Sequence, residues 1–273
     1  MGTGHSHGPA SASVSDGLYL AGHTPLHRLP AEVKLVGLVA FVVTVVATPR
    51  EQAWAFGVYA LLLLALLVLT RLPALTVLRR MAIEVPFLVF AVLLPFVALG
   101  ERVDVLGLSL SVGGLLGGFN ILAKGTLGVL AAILLSATTR PRDLIVGLQR
   151  LRVPGLFVTI LSFMVRYLDV VVEDMRRMAL ARAARGFEAR HLGHVAVVAR
   201  AAGALFIRSY ERGERVHLAM VSRGFTGTMP QLGAPASRPA QWAALAGAWL
   251  LVAAVAAAAL AAGERTAWLV VAG

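Results

Sequence analysis

Five stretches of this chain, at residues 31–48, 53–70, 82–99, 113–139 and 240–262, are long, apolar and nearly free of charge. Roughly 20 apolar residues in helical form cross a hydrocarbon core of about 30 Å. No water is present there to satisfy backbone N–H and C=O groups, so such segments satisfy their own as helices. Of 273 residues, 58% are hydrophobic, and the mean hydropathy is +0.80. That is too apolar for a single soluble domain. The expected fold is an all-α membrane protein of about five transmembrane helices, with a cytoplasmic set of amphipathic helices.

Charge sets the orientation. The formal net charge of +11 is almost all arginine, since lysine occurs only at Lys34 and Lys124. Arg71, Arg79 and Arg80 fall between the second and third spans. Sixteen arginines against seven acids fall in 140–238, whereas the 100–104 loop is net acidic. Basic loops stay cytoplasmic. This predicts an N-terminus inside, a C-terminus outside, and residues 140–238 in the cytoplasm. The arginines form no aromatic-studded patch, so nucleic acid is not an expected partner. The chain has no cysteine, which excludes disulfides and thiolate chemistry. No apolar run of signal-peptide type follows Met1.

The sequence divides into a polar tail (1–30), a four-helix membrane region (31–139), a cytoplasmic coupling region (140–239), and a last span with a short tail (240–273). His5 and His7 in the tail, with His23 and His27 beyond, lack a fixed carboxylate or thiolate nearby and make a weak metal site at best. His191 and His194 fit a cap or surface role better than ligation. No metal site is expected. Lys34 stands at the start of the first span, where it can snorkel to the interface. Residues 48–51 form a charge-balanced turn, and Trp54 and Tyr59 sit near the next interface. Pro86 and Pro95 predict kinks in the third span. Glu84 lies four residues from Arg80 and reads as an interfacial ion pair, although an intramembrane carboxylate is also a functional candidate. Residues 106–112 read as an outer loop or re-entrant piece.

In the fourth span Gly113/Gly117 and Gly114/Gly118 permit close helix packing. Asn120 and Lys124 share a face one turn apart. Lys124 either faces the bundle interior or snorkels outward. Residues 118–126 superficially resemble a phosphate-binding loop, but Ala123 stands where the second glycine is needed and no strand precedes it.

The 140–238 region changes character. Its longest uninterrupted apolar run, 153–165, is too short to span. Phe157, Leu161, Met164, Leu168, Val171, Met175 and Met178 recur at three- and four-residue steps, with Ser162, Arg166, Asp169, Glu173, Arg176 and Arg177 opposite. A second amphipathic helix covers about 195–224, with Glu211 and Arg215 at i, i+4 spacing as Glu173 and Arg177 are in the first. A shorter helix, about 142–151, precedes both. The two long helices end at Ala184-Arg185-Gly186 and Ser222-Arg223-Gly224. Glycine just past a helix end supplies the left-handed cap, and the arginine before it suits the negative end of the helix dipole.

A basic insert of amphipathic helices bearing two such motifs and returning to one final span resembles the T component of energy-coupling factor (ECF) transporters. The stretches 27–30 (His-Arg-Leu-Pro), 46–51 (Val-Ala-Thr-Pro-Arg-Glu), 166–169 (Arg-Tyr-Leu-Asp) and 205–215 (Leu-Phe-Ile-Arg-Ser-Tyr-Glu-Arg-Gly-Glu-Arg) are similar to the cobalt-type CbiQ subfamily. The resemblance implies a non-catalytic membrane subunit in the bacterial cytoplasmic membrane. Its two Ala-Arg-Gly motifs would dock into a pair of ABC-type ATPase subunits, here at Ala184, Arg185, Gly186, Ser222, Arg223 and Gly224. The second motif has Ser222 in place of alanine. It also implies transmission of ATP-driven motion to a separate substrate-binding membrane subunit. No cofactor is then expected on this chain, ATP being held by the partner ATPases. The transported ion would be cobalt, with nickel or a vitamin as alternatives.

The residues agree with a scaffold, having neither a Walker motif nor a zinc-protease HExxH pattern. An intramembrane enzyme would need a catalytic set at membrane depth, where only Glu84, Lys124 and scattered serines are available. A stand-alone secondary transporter usually shows two related halves around a midplane site. Five spans with a large insert before the last show none.

Overall fold

The computed structural model describes residues 17–50, 52–98, 102–105, 108–187, 195–227 and 237–271. The readings placed on His5, His7, Glu51, His191 and His194 lie outside the described residues. The chain forms two compact units. One comprises residues 19–147 and 235–273, and the other residues 148–234 with the first 18.

The larger unit holds α1 (Pro25–Arg28), α2 (Ala31–Ala47), α3 (Ala53–Thr70), α4 (Ala74–Met81), a 3-10 turn (Ala82–Glu84), α5 (Val85–Val97), α6 (Val112–Thr138) and α10 (Pro239–Val271). Its core is Phe41 and Val45 of α2, Ala55, Phe56, Tyr59 and Leu63 of α3, Leu127 and Ala131 of α6, and Val252 and Ala259 of α10. Tyr59 was expected near an interface, but it is 1% exposed. Thr48 Oγ1 donates to Thr44 O at 2.9 Å, so the 3.1 Å contact with Tyr59 is the phenol donating to Thr48. A buried tyrosine needs a partner for its hydroxyl, and Thr48 at the end of α2 provides one. Trp54, by contrast, is half exposed.

The two lysines of the chain cap helices reciprocally. Lys34 Nζ, at the start of α2, donates to Thr138 O at the end of α6 (2.9 Å). Lys124 Nζ, within α6, donates to Val46 O at the end of α2 (2.9 Å). The last carbonyls of a helix lack intrahelical donors and carry partial negative charge. Each ammonium supplies the missing donor, which fixes α2 and α6 antiparallel. Lys34 therefore does not simply snorkel, and Lys124 takes the inward of its two expected directions.

Close packing of α5 on α6 follows from one glycine pair. A Cβ on Gly114 would stand 2.6 Å from Pro95 Cα, and one on Gly118 would stand 2.6 Å from Ala91 O. Pro95 has no N–H to offer Ala91 O four residues earlier, so that carbonyl is free to lie against the α6 backbone. Residues 102–111, read in part as a loop or re-entrant piece, contain a hairpin. β1 (Arg102–Val105) pairs antiparallel with β2 (Leu108–Ser111), with Arg102 opposite Ser111. Ser111 Oγ then accepts from Gly114 N at 3.4 Å and N-caps α6.

Among the described residues five helical stretches are long and apolar enough to cross a membrane: Ala53–Thr70, Ala74–Val97, Val112–Thr138, Gly155–Ala183 and Pro239–Ala262. The protein is an all-α membrane protein, and four of the five overlap expected spans, with Gly155–Ala183 in place of 31–48. The helix at 31–47 has 17 residues. Gly155–Ala183 qualifies because its first charge comes only at Arg166, so its apolar half is longer than the uninterrupted run suggested. The second unit contains this helix, α8, and α9 (Val195–Val221). The short α7 (Pro141–Arg150) leads into it.

Candidate coupling site

The ends of α8 and α9 have the same geometry. After α8, Gly186 N donates to Ala183 O (2.9 Å) and Phe187 N to Arg182 O (3.1 Å). After α9, Gly224 N donates to Val221 O and Phe225 N to Met220 O, both at 3.0 Å. This paired 5→2 and 6→1 bonding is the Schellman motif, which requires a left-handed residue at its turn. Gly186 has φ +74° and Gly224 has φ +82°. Arg185 and Arg223 occupy the residue before each turn, and both are exposed. A Cβ at either glycine would meet nothing within 4 Å of this chain. The glycines are required by backbone conformation, and the space beside them is open.

The two tips face apart. Asp174 Oδ2 accepts from Arg212 Nη2 at 3.2 Å, and Thr159 Oγ1 comes within 3.5 Å of Gly227 O. Early residues of α8 thus meet late residues of α9, and the helices run in opposite senses. At 1.5 Å per residue from the Asp174–Arg212 contact, Arg185 and Arg223 lie on the order of 30 Å apart.

The seam between α8 and α9 overlaps the expected stripe at Met164 and Val171 and adds Phe163 and Tyr167 beside it. Phe163 and Tyr167 stack with centroids 6.1 Å apart. With Val171, Val216 and Met220 they line a cleft of about 440 Å³ between the helices. Of the other stripe residues Leu161 and Met178 are half-buried, and Phe157, Leu168 and Met175 are exposed. The i, i+4 pair Glu173–Arg177 forms at 3.0 Å with both side chains exposed, whereas among the described residues Glu211 and Arg215 form no ion pair. Spacing alone identifies local pairs. It gave no signal for Asp174–Arg212, whose partners come from different helices.

The polar candidates of the membrane unit do not gather into one site. Glu84 is buried, and its Oε1 accepts from Thr126 Oγ1 at 2.7 Å. Lys124 lies 5.9 Å from the centre of the Phe56 ring in addition to its bond to Val46. Thr126 stands two residues, about 200°, round the helix from Lys124, so these contacts use different faces of α6. Asn120 Oδ1 is buried without a hydrogen-bond partner among the described residues. Within the same residues no three histidine or acidic side chains group with the geometry of a metal site.

The cobalt transport protein family model, CbiQ, matches residues 22–232, which include the four regions that carry the resemblance and both tips. The chain belongs to the CbiQ family. Three curated relatives are energy-coupling factor transporter transmembrane proteins, EcfT. The one from Bacillus selenitireducens is 27% identical, over 79% of this chain and 85% of its own. That from Listeria innocua is 25% identical, over 77% and 84%, and that from Bacillus subtilis 24%, over 79% and 86%. This CbiQ-type chain is accordingly an ECF T component.

Proposed function

We propose that this T component is the non-catalytic scaffold of an ECF importer for cobalt ions. It docks two ABC-type ATPase subunits through Arg185 and Arg223 and passes their closure to a separate substrate-binding membrane subunit. The observation that carries this reading is the pair of identical arginine-bearing helix ends pointing apart. One tip per ATPase matches two subunits that approach each other during nucleotide binding. A guanidinium holds a carboxylate through two parallel hydrogen bonds and stays charged when partly buried. The family's description as cobalt transport proteins supports the choice of ion.

Arg185→Glu and Arg223→Glu test the docking. Each is expected to reduce ATPase capture by the tagged chain and cobalt uptake by cells, with the double change worse, while Arg176→Ala behaves like wild type. Normal assembly and uptake in both reversals would reduce the motifs to helix stops. The reading also places the protein in the bacterial cytoplasmic membrane with its N-terminus and residues 140–238 inside, as the arginine bias supports. A membrane-impermeant thiol reagent added outside cells is expected to label Ser109→Cys and to spare Ser209→Cys. External labelling at residue 209 would overturn that orientation.

A further inference from the structure

The chain passes between its two units at 18/19, 147/148 and 234/235, and α8 and α9 lie between the last two passages. Described residues beside each of these two, Gly147 and Ser237, meet the same turn of helix. On the way in, Lys34 Nζ donates to Thr138 O (2.9 Å) and Thr139 Oγ1 (3.1 Å), which fixes the corner between α6 and α7. Within α7, Gly147 is buried against the start of α2, where an added Cβ would stand 2.9 Å from Glu32 N and 3.1 Å from Ala31 C. No side chain fits there without moving one helix from the other. On the way out, Ser237 N donates to Glu32 Oε1 at 3.3 Å. Ser237 Oγ in turn accepts from Trp242 Nε1 at 2.9 Å, which ties the same residue to α10.

Glu32 is 3% exposed. Burying a carboxylate is costly unless it is paired and bonded, and an apolar residue in such a place is often at least as stabilising. What a buried acid adds is a directed acceptor at one defined point. We propose that the first turn of α2 is a clamp on the two crossings that flank α8 and α9, with Glu32 as the positioning residue that joins Ser237 to the entry helix. A displacement of α8 and α9 then reaches the membrane helices through two crossings anchored at one point. This rests on the T-component role proposed above.

The assembled complex carrying Glu32→Ala is expected to hydrolyse ATP near the wild-type rate. Cobalt taken up per ATP should fall about tenfold, the usual scale for losing one bond to a charged acceptor. Glu32→Gln keeps a carbonyl acceptor and should restore most of that ratio. Gly147→Ala should lower it without touching Glu32. The clamp is overturned if Glu32→Ala and Gly147→Ala leave the ratio unchanged, or if Glu32→Gln is as defective as Glu32→Ala. If the wild-type chain captures no ATPase, the function proposed above fails instead. The clamp is then read by amide hydrogen exchange in the full-length chain. Glu32→Ala should speed exchange around residue 237 and at the N-terminal half of α7 together. Faster exchange at only one of the two, or at neither, would overturn it.

Discussion

Among the described residues, glycines pressed against neighbouring backbone occur in the membrane unit, although Gly57, Gly128 and Gly247 there are open. In the membrane unit Gly114, Gly118 and Gly147 lie against backbone of neighbouring helices, where a Cβ would stand 2.6 to 2.9 Å from the nearest atom. In the coupling unit Gly186, Gly203, Gly213, Gly224 and Gly227 have nothing within 4 Å of where a Cβ would be. Burial follows the same division. α2, α3, α6 and α10 share a buried core, whereas Val158 is the one buried residue of α8 and Leu205 that of α9. Helices of 29 and 27 residues with one buried residue each are not complete by themselves. In the function proposed here, their arginine tips meet the ATPase subunits. The larger unit shares one buried core, and α8 and α9 bury one residue each.

That contrast can be broken in order of expected effect. The charge reversals at Arg185 and Arg223 should be largest, since losing one partner of a buried, bonded charge pair at an interface typically costs about 2–5 kcal/mol. The loss should appear in ATPase capture and not in the thermal unfolding of the purified chain. A drop in unfolding temperature as large as the drop in capture would mean that the tips stabilise the fold itself.

Glycine substitutions come next and should separate the units. Gly118→Val places a side chain 2.6 Å from a carbonyl, and overpacking of this kind costs roughly 1–3 kcal/mol. Thermal unfolding in detergent should fall. Gly186→Ala forces a side chain onto a left-handed residue, with a penalty of roughly 1–2 kcal/mol confined to one helix end. Unfolding should hardly change while ATPase capture weakens. The comparison collapses if the two variants behave alike in both measurements.

Asp174→Asn should be smallest. The Asp174–Arg212 pair is partly exposed, and such pairs contribute about 0.2–1 kcal/mol. Slightly faster amide exchange along α8 and α9, with cobalt uptake near normal, is the expected result. A loss of uptake comparable to the Arg185 reversal would show that the angle between the two helices is set by this one pair.

The helical membrane class, the basic insert and the two glycine turns were all legible in the sequence. Each depends on something a linear pattern records: apolar length, charge between spans, and a residue type that alone tolerates positive φ. The close approach of α5 and α6 was half legible, because Gly114 and Gly118 announce a place for a neighbour without naming Ala91 and Pro95. Local spacing could not decide which face of α8 meets α9. A side chain four residues away is set by helix geometry, whereas Arg212 reaches Asp174 only once the chain has turned back. The same holds for the reciprocal lysine caps and for Glu32. In the sequence Lys34 is a cation near a helix start, and Glu32 is one acid in a first turn. Their partners lie 104 and 205 residues away, at Thr138 and Ser237. Periodicity determines what each helix can bury, and tertiary structure decides which carbonyl or amide is there to receive it.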